Sequence, residues 1–344
     1  MATLGAMSAP LPLGRGQILA FRRRAGALDE RLPHAPGSFR QAAWAGLQDS
    51  MPRAAVLSLH ARVDGARPES WEDPAFVQVW GPRYQTYVVP AEDVAVFTLG
   101  RLPDAAKALA RAEAMAARVH AMLGGETTPY EDLGRVLGVN PNAFRYAAPT
   151  GTIAIRWDGA RRPTMRVVPR PEVDPLAAQL ELARRYLHVF GPATPASFTK
   201  WAGISKKAAV AAFTALGPEL TAVRTPLGDA WVLAADEDGF RAAPAPPAPA
   251  RLLPSGDAYF LLHGEDRALL VPDAARRPEL WTPRVWPGAL LVDGEVRGIW
   301  RRAQGTVTIE SWGPLPRAAI DAVEAEAARL PIPGVETIAV RWVT

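Results

Sequence analysis

The sequence predicts an α+β fold in which three tandem helix-rich units, each closed by two short strands, precede a small β-barrel-like domain. Three observations support this prediction. A pattern of helices followed by two extended runs recurs three times within the first 235 residues. A run rich in proline and alanine spans residues 242–250. Short strand-like segments dominate the remainder of the chain.

The third unit shows the pattern most clearly. Apolar residues recur at helical spacing over Pro175–Phe190, and a Gly-Pro pair ends that helix. Thr194 and Ser205 are suitable caps for two further helices. Two extended runs follow them. Because a helix–turn–helix followed by a hairpin is the plan of a winged helix, the sequence predicts a winged-helix unit over residues 173–240.

The first two units are predicted from the same features. The second covers residues 126–172, where Gly138 separates two helices and two strands flank a hairpin tip that contains Arg161 and Arg162. The first covers residues 1–125 and ends with a long connecting helix. In it we expect helices over 17–28, 38–47 and 52–61 and strands over 76–80 and 84–89.

The C-terminal region differs from the three units. Residues 241–250 are a predicted linker. Residues 251–344 are a predicted small β-barrel or curled sheet with one helix over 316–330 and a last strand over 336–343. The other strands of this domain are expected at 251–253, 258–263, 268–271, 289–293, 296–301 and 306–312.

Composition excludes several classes of site. The chain has 344 residues and no cysteine, so it has no disulfides and no thiol-ligated metal. Its five histidines are not paired at metal-binding spacing, and no phosphate-binding loop, nucleophile elbow or dinucleotide fingerprint is present. We therefore expect no metal and no organic cofactor. No targeting signal or long apolar stretch is evident, which favours a cytoplasmic protein without a membrane partner. If it binds DNA as expected below, it is also nucleoid-associated.

Basic residues concentrate in the second and third units. Residues 135–224 contain 13 Lys and Arg against 5 Asp and Glu, whereas residues 251–344 contain 11 against 12. This distribution favours double-stranded DNA as the partner, with no obligate protein partner, although a solvated basic face or a protein-binding winged helix would have the same charge. The expected DNA-binding residues are Arg53, Arg145, Arg161, Arg162, Lys200, Lys206, Lys207 and Arg224.

One polar segment lies in the turn before a predicted helix of the first unit. Gln48, Asp49 and Ser50 supply an amide, a carboxylate and a hydroxyl just before Pro52. Such groups are able to position a water molecule for hydrolysis. Asp or Ser directly before a helix is equally explained as a cap, and spacing alone favours the cap.

Two other features have simpler structural explanations. His263 begins a polar His-Gly-Glu-Asp stretch, which resembles an acid/base cluster but is better explained as a turn at a strand end. Trp281, Trp286, Trp300 and Trp312 fall in the C-terminal domain, where core packing is a better interpretation than base stacking.

Several motifs together resemble the AlkZ-like winged-helix family, whose best-known members are bacterial DNA glycosylases that remove alkylation adducts and interstrand crosslinks. The motifs are the stretch Gly46-Leu47-Gln48-Asp49-Ser50-Met51-Pro52-Arg53, the stretch Gly191-Pro192-Ala193-Thr194-Pro195, and Leu291-Val292-Asp293-Gly294-Glu295 with Gly298-Ile299-Trp300-Arg301. The resemblance covers nearly the whole chain.

The resemblance implies a fold and a chemistry. The fold is three tandem winged helices plus a β-barrel, arranged as a C around a basic channel that holds DNA. The chemistry is attack of a water molecule on the sugar carbon, with the water held by a Gln, an aliphatic residue and a second Gln or Asp. Gln48 matches the first of these, Asp49 stands at the aliphatic position and Ser50 at the last, so this chain departs from the pattern. The histidine that the family often carries in its first wing has no counterpart at residues 84–88.

We therefore expect a monofunctional DNA glycosylase that hydrolyses the N-glycosidic bond of alkylated or bulky-adduct bases, with Gln48, Asp49 and Ser50 as its catalytic residues. The main alternative is a non-catalytic winged-helix protein that binds DNA as a regulator. The departure at Asp49 and Ser50 favours that alternative, and a protein-binding module is a third hypothesis.

Overall fold

The computed structural model describes residues 9–49, 51, 53–159 and 162–343. They form a mixed α+β structure with three separate sheets, which confirms the α+β part of the predicted fold. Ser50, Pro52, Ala160 and Arg161 lie outside the described residues.

The N-terminal part of the chain contains helices and short strands that correspond to the predicted first unit. In order, they are β1 (Leu11–Pro12), α1 (Arg15–Ala25), α2 (Ser38–Ala42), β2 (Leu47–Gln48), α3 (Ala54–Arg62), β3 (Phe76–Trp80), β4 (Thr86–Pro90), α4 (Val94–Phe97) and α5 (Ala106–Leu123). The helix predicted over 38–47 ends early, because the chain turns at Gly46 with φ +71° and enters β2.

The middle of the chain follows the predicted pattern closely. Its elements are β5 (Thr128–Pro129), α6 (Tyr130–Leu137), β6 (Ile153–Arg156), β7 (Thr164–Val167), α7 (Pro175–Phe190), α8 (Pro195–Ala202), α9 (Lys206–Ala215), β8 (Leu220–Thr225), β9 (Gly228–Leu233) and α10 (Glu237–Arg241). Both predicted caps are confirmed. The Thr194 hydroxyl accepts from the Ser197 N–H at 3.1 Å, and the Ser205 hydroxyl accepts from the Ala208 N–H at 3.0 Å.

The C-terminal part contains β10 (Ala250–Leu253), α11 (Arg267–Leu270), α12 (Arg277–Leu280), β11 (Gly288–Val292), β12 (Glu295–Ala303), β13 (Thr306–Ser311), α13 (Arg317–Ala328) and β14 (Ala339–Val343). Two predicted strands are wrong. Residues 258–263 begin with a 3₁₀ turn, because the Asp257 carboxylate accepts from the Tyr259 N–H at 2.9 Å, and residues 268–271 fall largely in α11. Short buried apolar runs do not distinguish a strand from a helix.

The C-terminal sheet is open rather than barrel-like. Its order is β10-β11-β12-β13-β14, and within the described residues its two edge strands do not pair with each other. Of the two predicted arrangements, a small barrel and a curled sheet, the barrel is therefore corrected. Instead, α13 covers one face through Val323 and Ala327, which pack with Leu252, Val307 and Ile309. The helix buries the apolar surface that closure would otherwise bury.

The first two predicted wings belong to one sheet. Its order is β2-β4-β3-β6-β7-β5, and the two hairpins meet where Gln78 of β3 pairs with Ile155 of β6. Strand β2, which ends at Gln48, lies at one edge of this sheet. The third hairpin, β8–β9, forms a separate sheet with β1.

An aromatic cluster packs α7 and α8 against the rest of the described structure. Tyr186, Phe190 and Phe198 surround Trp201 with ring centroids 5.0–6.3 Å apart. This cluster continues into side chains of β4 and of the C-terminal region. Trp281 and Trp300 are buried, so core packing is confirmed for these two tryptophans.

Among the described helices, none combines the length and apolar character that a membrane crossing requires.

Candidate active site

Gln48 lies at the wall of an open cavity between the first unit and the C-terminal region. Strand β2 pairs with β4 so that Gln48 stands opposite Tyr87. The cavity has a volume of about 460 Å³, within the range of roughly 300–1,000 Å³ that is typical of small-molecule sites. It is lined by side chains from both regions, among them Arg83, Ser255, His263, Arg284 and Trp286.

Arg83 holds the side-chain amide of Gln48. Its Nη2 donates to Gln48 Oε1 at 2.7 Å, and its Nη1 lies against Nε2 of His263. Arg83 and Tyr84 both have left-handed backbones, with φ +54° and +59°, in the turn between β3 and β4. Two successive non-glycine residues of this kind store strain, which is characteristic of functional sites.

His263 is neutral at pH 7. Burial and the positive charges of Arg83, Arg267 and Lys200 lower the pKa of His263 to about 4. A neutral imidazole has one acceptor nitrogen, and a guanidinium is only a donor. The contact with Arg83 therefore assigns the acceptor to Nε2 and the proton to Nδ1.

The turn at residues 254–257 supports the other end of the Gln48 amide. Gly256 has φ +77°, and a Cβ at this position would lie 2.6 Å from Gln48 Nε2. The turn is fixed to α3 by Asp257, which pairs in bidentate fashion with Arg62 at 2.6 and 2.8 Å and accepts from the Ser58 hydroxyl at 2.7 Å. Arg62 and Asp257 are both buried. This pair therefore fixes the position of the turn at residues 254–257 relative to α3.

Asp49 faces away from the cavity and caps α3. Its side chain is only 2% exposed, Oδ1 accepts from the Ala55 N–H at 3.1 Å and Oδ2 accepts from Gln78 Nε2 at 3.0 Å. Burial raises the pKa of Asp49 to about 6, against the lowering effect of these hydrogen bonds and of Arg53. Of the two interpretations given above, the geometry supports the cap.

Gln78 links this cap to the second hairpin. Its Oε1 accepts from the Trp157 N–H at 2.6 Å, and its Nε2 donates both to the Trp157 carbonyl at 3.0 Å and to Asp49. Gln78 therefore connects Asp49 to Trp157, the first residue after β6.

Some of the expected DNA-binding residues lie near the cavity. Arg53 adjoins the cap of α3 and stacks on Trp71, with its guanidinium carbon 4.5 Å from the ring centroid. Lys200, on α8, is exposed, and its ammonium lies 3.2 Å from the position of a Cβ on Gly264, the residue after His263.

The remaining expected DNA-binding residues lie elsewhere on the chain. Lys206 and Lys207 are exposed at the start of α9. Arg162 pairs with Glu131 at 2.5 Å, and Arg224 pairs with Asp229 at 2.7 Å, so each of these two arginines already has an acidic neighbour. Arg145 is half-buried in a 3₁₀ stretch, and Arg161 lies outside the described residues.

Sequence reasoning missed most of the cavity wall. Arg83 and Arg284 belong to turns without a recognisable motif, so no sequence signal pointed to them. His263 was noticed but interpreted as part of a strand-end turn, whereas it lines the cavity beside Gln48. The glycine of Pro254-Ser255-Gly256-Asp257 was the one available signal, because a glycine in a tight turn permits close approach of another group.

A family of known proteins matches this chain. The model of the DNA glycosylase AlkZ-like family matches residues 42–331. The chain belongs to the AlkZ-like DNA glycosylase family. This confirms the resemblance found in the sequence.

Two matches, a curated protein and a solved structure, come from Streptomyces sahachiroi and are similar to this member of the AlkZ-like family. One is a curated protein described as an interstrand DNA cross-link repair glycosylase, 32% identical over 167 residues. That match covers 46% of this chain and 43% of the relative, so it spans less than half the length of the relative. The other is the solved structure of DNA glycosylase AlkZ, with a TM-score of 0.78 at 20% identity over 97% of this chain and 100% of that chain. This second likeness concerns the fold.

Proposed function

We propose that this member of the AlkZ-like family is a monofunctional DNA glycosylase that hydrolyses the N-glycosidic bond of alkylated or bulky-adduct bases. One observation carries the proposal: in a chain of this family, the amide of Gln48 is fixed at the wall of an open cavity that also contains two arginines. No Asp or Glu from the described part of the chain lines that cavity. Its positive charge suits the phosphates of a nucleic acid.

The proposed reaction needs little help for the leaving group. Alkylation gives a purine a positive charge, so the bond from C1′ to nitrogen breaks with its electron pair leaving on the base, which becomes neutral. A water molecule forms the new bond to C1′ and gives its proton to solvent. Gln48 Oε1 keeps one lone pair beyond the bond from Arg83, and this lone pair orients the water.

The other two expected catalytic residues have supporting roles in this proposal. Asp49 fixes the end of β2 through its bond to the N-terminus of α3, and it supplies a negative charge behind Gln48 above pH 6. Ser50, the next residue, supplies a hydroxyl to the same segment.

DNA binding is part of the same proposal. We assign residues 1–125, 126–172 and 173–240 to three winged-helix units, 241–250 to a linker and 251–344 to the C-terminal domain, arranged as a C around the DNA. Arg53, Lys200, Lys206 and Lys207 are the exposed or cavity-adjacent cations that support it, and Arg145, Arg161, Arg162 and Arg224 complete the expected set. Binding to chromosomal DNA would make the protein nucleoid-associated.

The test is release of the free base from a duplex that contains one N7-methylguanine, measured by chromatography, with abasic sites revealed by alkali. Wild-type protein is expected to release the base, and Gln48→Ala and Asp49→Asn to release less. Background release by all three proteins would contradict the proposal for this substrate.

The alternative is a non-catalytic DNA-binding or regulatory protein. The burial of Asp49 as a helix cap favours it, because the carboxylate does not reach the cavity. This alternative predicts salt-dependent binding of the same duplex without release of the base.

A further inference from the structure

Arg101 is a buried cation without an acidic partner among the described residues. It lies in the 3₁₀ turn Leu99–Arg101, which follows α4, and it is only 3% exposed. Burial lowers the pKa of Arg101 to about 10, so its guanidinium stays charged at pH 7. The groups whose charges act on it are Tyr84, Tyr87 and Arg83, and none of these is a carboxylate. Because burying an unpaired charge is costly, the structure must stabilise Arg101 in another way.

The Arg101 side chain contacts three elements of the fold. Its Nε donates to the Ala202 carbonyl at 2.7 Å, and its Nη1 donates to the Trp80 carbonyl at 3.1 Å. Ala202 is the last residue of α8, and Trp80 is the last residue of β3. The guanidinium carbon lies 4.9 Å from the ring centroid of Tyr84, in the turn between β3 and β4. The negative end of the α8 dipole and the face of the ring therefore stabilise the charge.

The end of α8 also packs against the backbone of Arg83. Gly203, the residue after α8, has φ +70°, and a Cβ at this position would lie 3.2 Å from both N and Cα of Arg83. Such close packing transmits displacements from one element to the next. The turn that contains Arg83 and Tyr84 is therefore fixed by α8 as well as by Arg101.

The Tyr84 ring is held between Arg101 and a second aromatic ring. Tyr146 meets it edge to face, with ring centroids 5.5 Å apart and planes inclined at 68°. Both contacts involve the ring of Tyr84 rather than its hydroxyl, so phenylalanine would keep them and leucine would not. Holding this ring fixes the neighbouring Arg83, whose Nη2 donates to Gln48 Oε1 at 2.7 Å.

We infer that Arg101 is a positioning residue for Gln48, acting through the ring of Tyr84 and the backbone of Arg83. The inference rests on the proposed function and adds a residue to it. Arg101 keeps the two left-handed residues of the turn in place, and Arg83 keeps the Gln48 amide in the orientation that holds the water. The geometry of the site in the first unit thereby depends on the end of α8.

The experiment measures single-turnover release of N7-methylguanine and affinity for the same duplex. Arg101→Met removes the charge and is expected to slow release at least about tenfold, with affinity unchanged because the side chain is buried. Tyr84→Leu is expected to slow release about tenfold, whereas Tyr84→Phe should retain most of the wild-type rate. A cation–π contact away from water accounts for a factor of this size.

The matched control is Arg22→Met. Arg22 is also 3% exposed, and it donates to the Phe190 and Gly191 carbonyls at the end of α7, just as Arg101 donates at the end of α8. Arg22 does not line the Gln48 cavity. Urea unfolding should therefore show similar losses of stability for the two methionine variants, whereas Arg22→Met should release base at the wild-type rate.

A second measurement does not depend on activity. The side-chain amide of Gln48 gives a ¹H–¹⁵N NMR signal, which is assigned by its disappearance in Gln48→Ala. We expect this signal to shift in Arg101→Met and in Tyr84→Leu, and to stay in place in Arg22→Met.

Two results would overturn the inference: equal release by Tyr84→Leu and Tyr84→Phe with an unshifted Gln48 signal, or equal slowing of release by Arg22→Met and Arg101→Met. If Arg101→Met does not fold, the Tyr84 pair decides, because Tyr84 is only half-buried. Failure of the proposed function is a separate result. Absence of release by wild type refutes the glycosylase, and the Gln48 signal then still shows whether Arg101 positions the amide.

Discussion

Replacing Gly256 with alanine tests whether the Gln48 amide must be held in place. The new Cβ would lie 2.6 Å from Gln48 Nε2 and 3.1 Å from Cδ, both closer than an ordinary contact of 3.4 Å or more. The amide is the free end of a flexible side chain, so it moves while the turn stays. The required shift of about 0.8 Å disturbs the hydrogen bond that Arg83 donates to Oε1 at 2.7 Å.

The size of the effect follows from that shift. A misplacement of about 1 Å can cost roughly 10²-fold in rate, so we expect Gly256→Ala to lower the single-turnover rate of base release by about 10- to 100-fold. Affinity for the duplex should stay the same, because phosphate contacts supply most of it. The assay is quenched single-turnover release of N7-methylguanine, with duplex affinity measured by fluorescence anisotropy.

Gly334→Ala separates the contact from the backbone cost. Gly334 has φ +69°, close to that of Gly256, and among the described residues no atom lies within 4 Å of the position of its Cβ. In both variants, an alanine with a left-handed backbone conformation destabilises the fold by about 1–2 kcal/mol. Only Gly256→Ala also disturbs Gln48. Equal rates for the two variants would refute the reasoning.

Three further predictions concern stability and DNA binding. The folded-state pKa of Asp49 is about 6, above its ordinary value of 3.8, so the folded protein binds this proton more tightly than the unfolded chain does. Wild type should therefore lose on the order of 2–3 kcal/mol of stability as the pH rises from 4 to 7. Urea unfolding should show that Asp49→Asn removes this slope, and an unchanged slope would contradict the assignment. Arg62→Leu leaves Asp257 buried and unpaired, so it should destabilise the fold by about 3–5 kcal/mol, whereas a loss below about 1 kcal/mol in the same assay would contradict this. Lys206→Glu/Lys207→Glu should weaken duplex binding in a gel shift and reduce the slope of log affinity against log salt concentration by about 2. An unaltered slope would show that α9 does not contact the DNA.

Much of the fold was predictable because local signals agreed with the tertiary structure. Thr194 and Ser205 cap helices where their sequence contexts predict caps, and α7 has its predicted bounds of Pro175–Phe190. The pairing of β3 with β6 was not predictable, because it depends on a contact between residues 77 positions apart. The sequence could not decide between a barrel and a curled sheet for a similar reason, since pairing of the edge strands β10 and β14 depends on residues far apart in the chain.

The site was predictable only in part. The sequence singles out Gln48 as a candidate catalytic residue, and the structure places it at a cavity wall; its catalytic role stays a prediction. The spacing of Asp49 to the following helix already favoured the cap that the structure shows. Arg83 and His263 meet Gln48 from distant parts of the chain, and the meeting depends on the buried pair that joins α3 to residue 257. No local pattern encodes such a convergence.

The most direct test of the account is a comparison of Gln48→Ala with Gln41→Ala for both base release and duplex affinity. Gln41 is exposed on α2 and does not line the cavity that contains Gln48, so its variant controls for loss of a glutamine. We predict that Gln48→Ala binds the N7-methylguanine duplex as tightly as wild type but releases the base at least about tenfold more slowly, and that Gln41→Ala matches wild type in both. Release by Gln48→Ala at the wild-type rate would contradict the account.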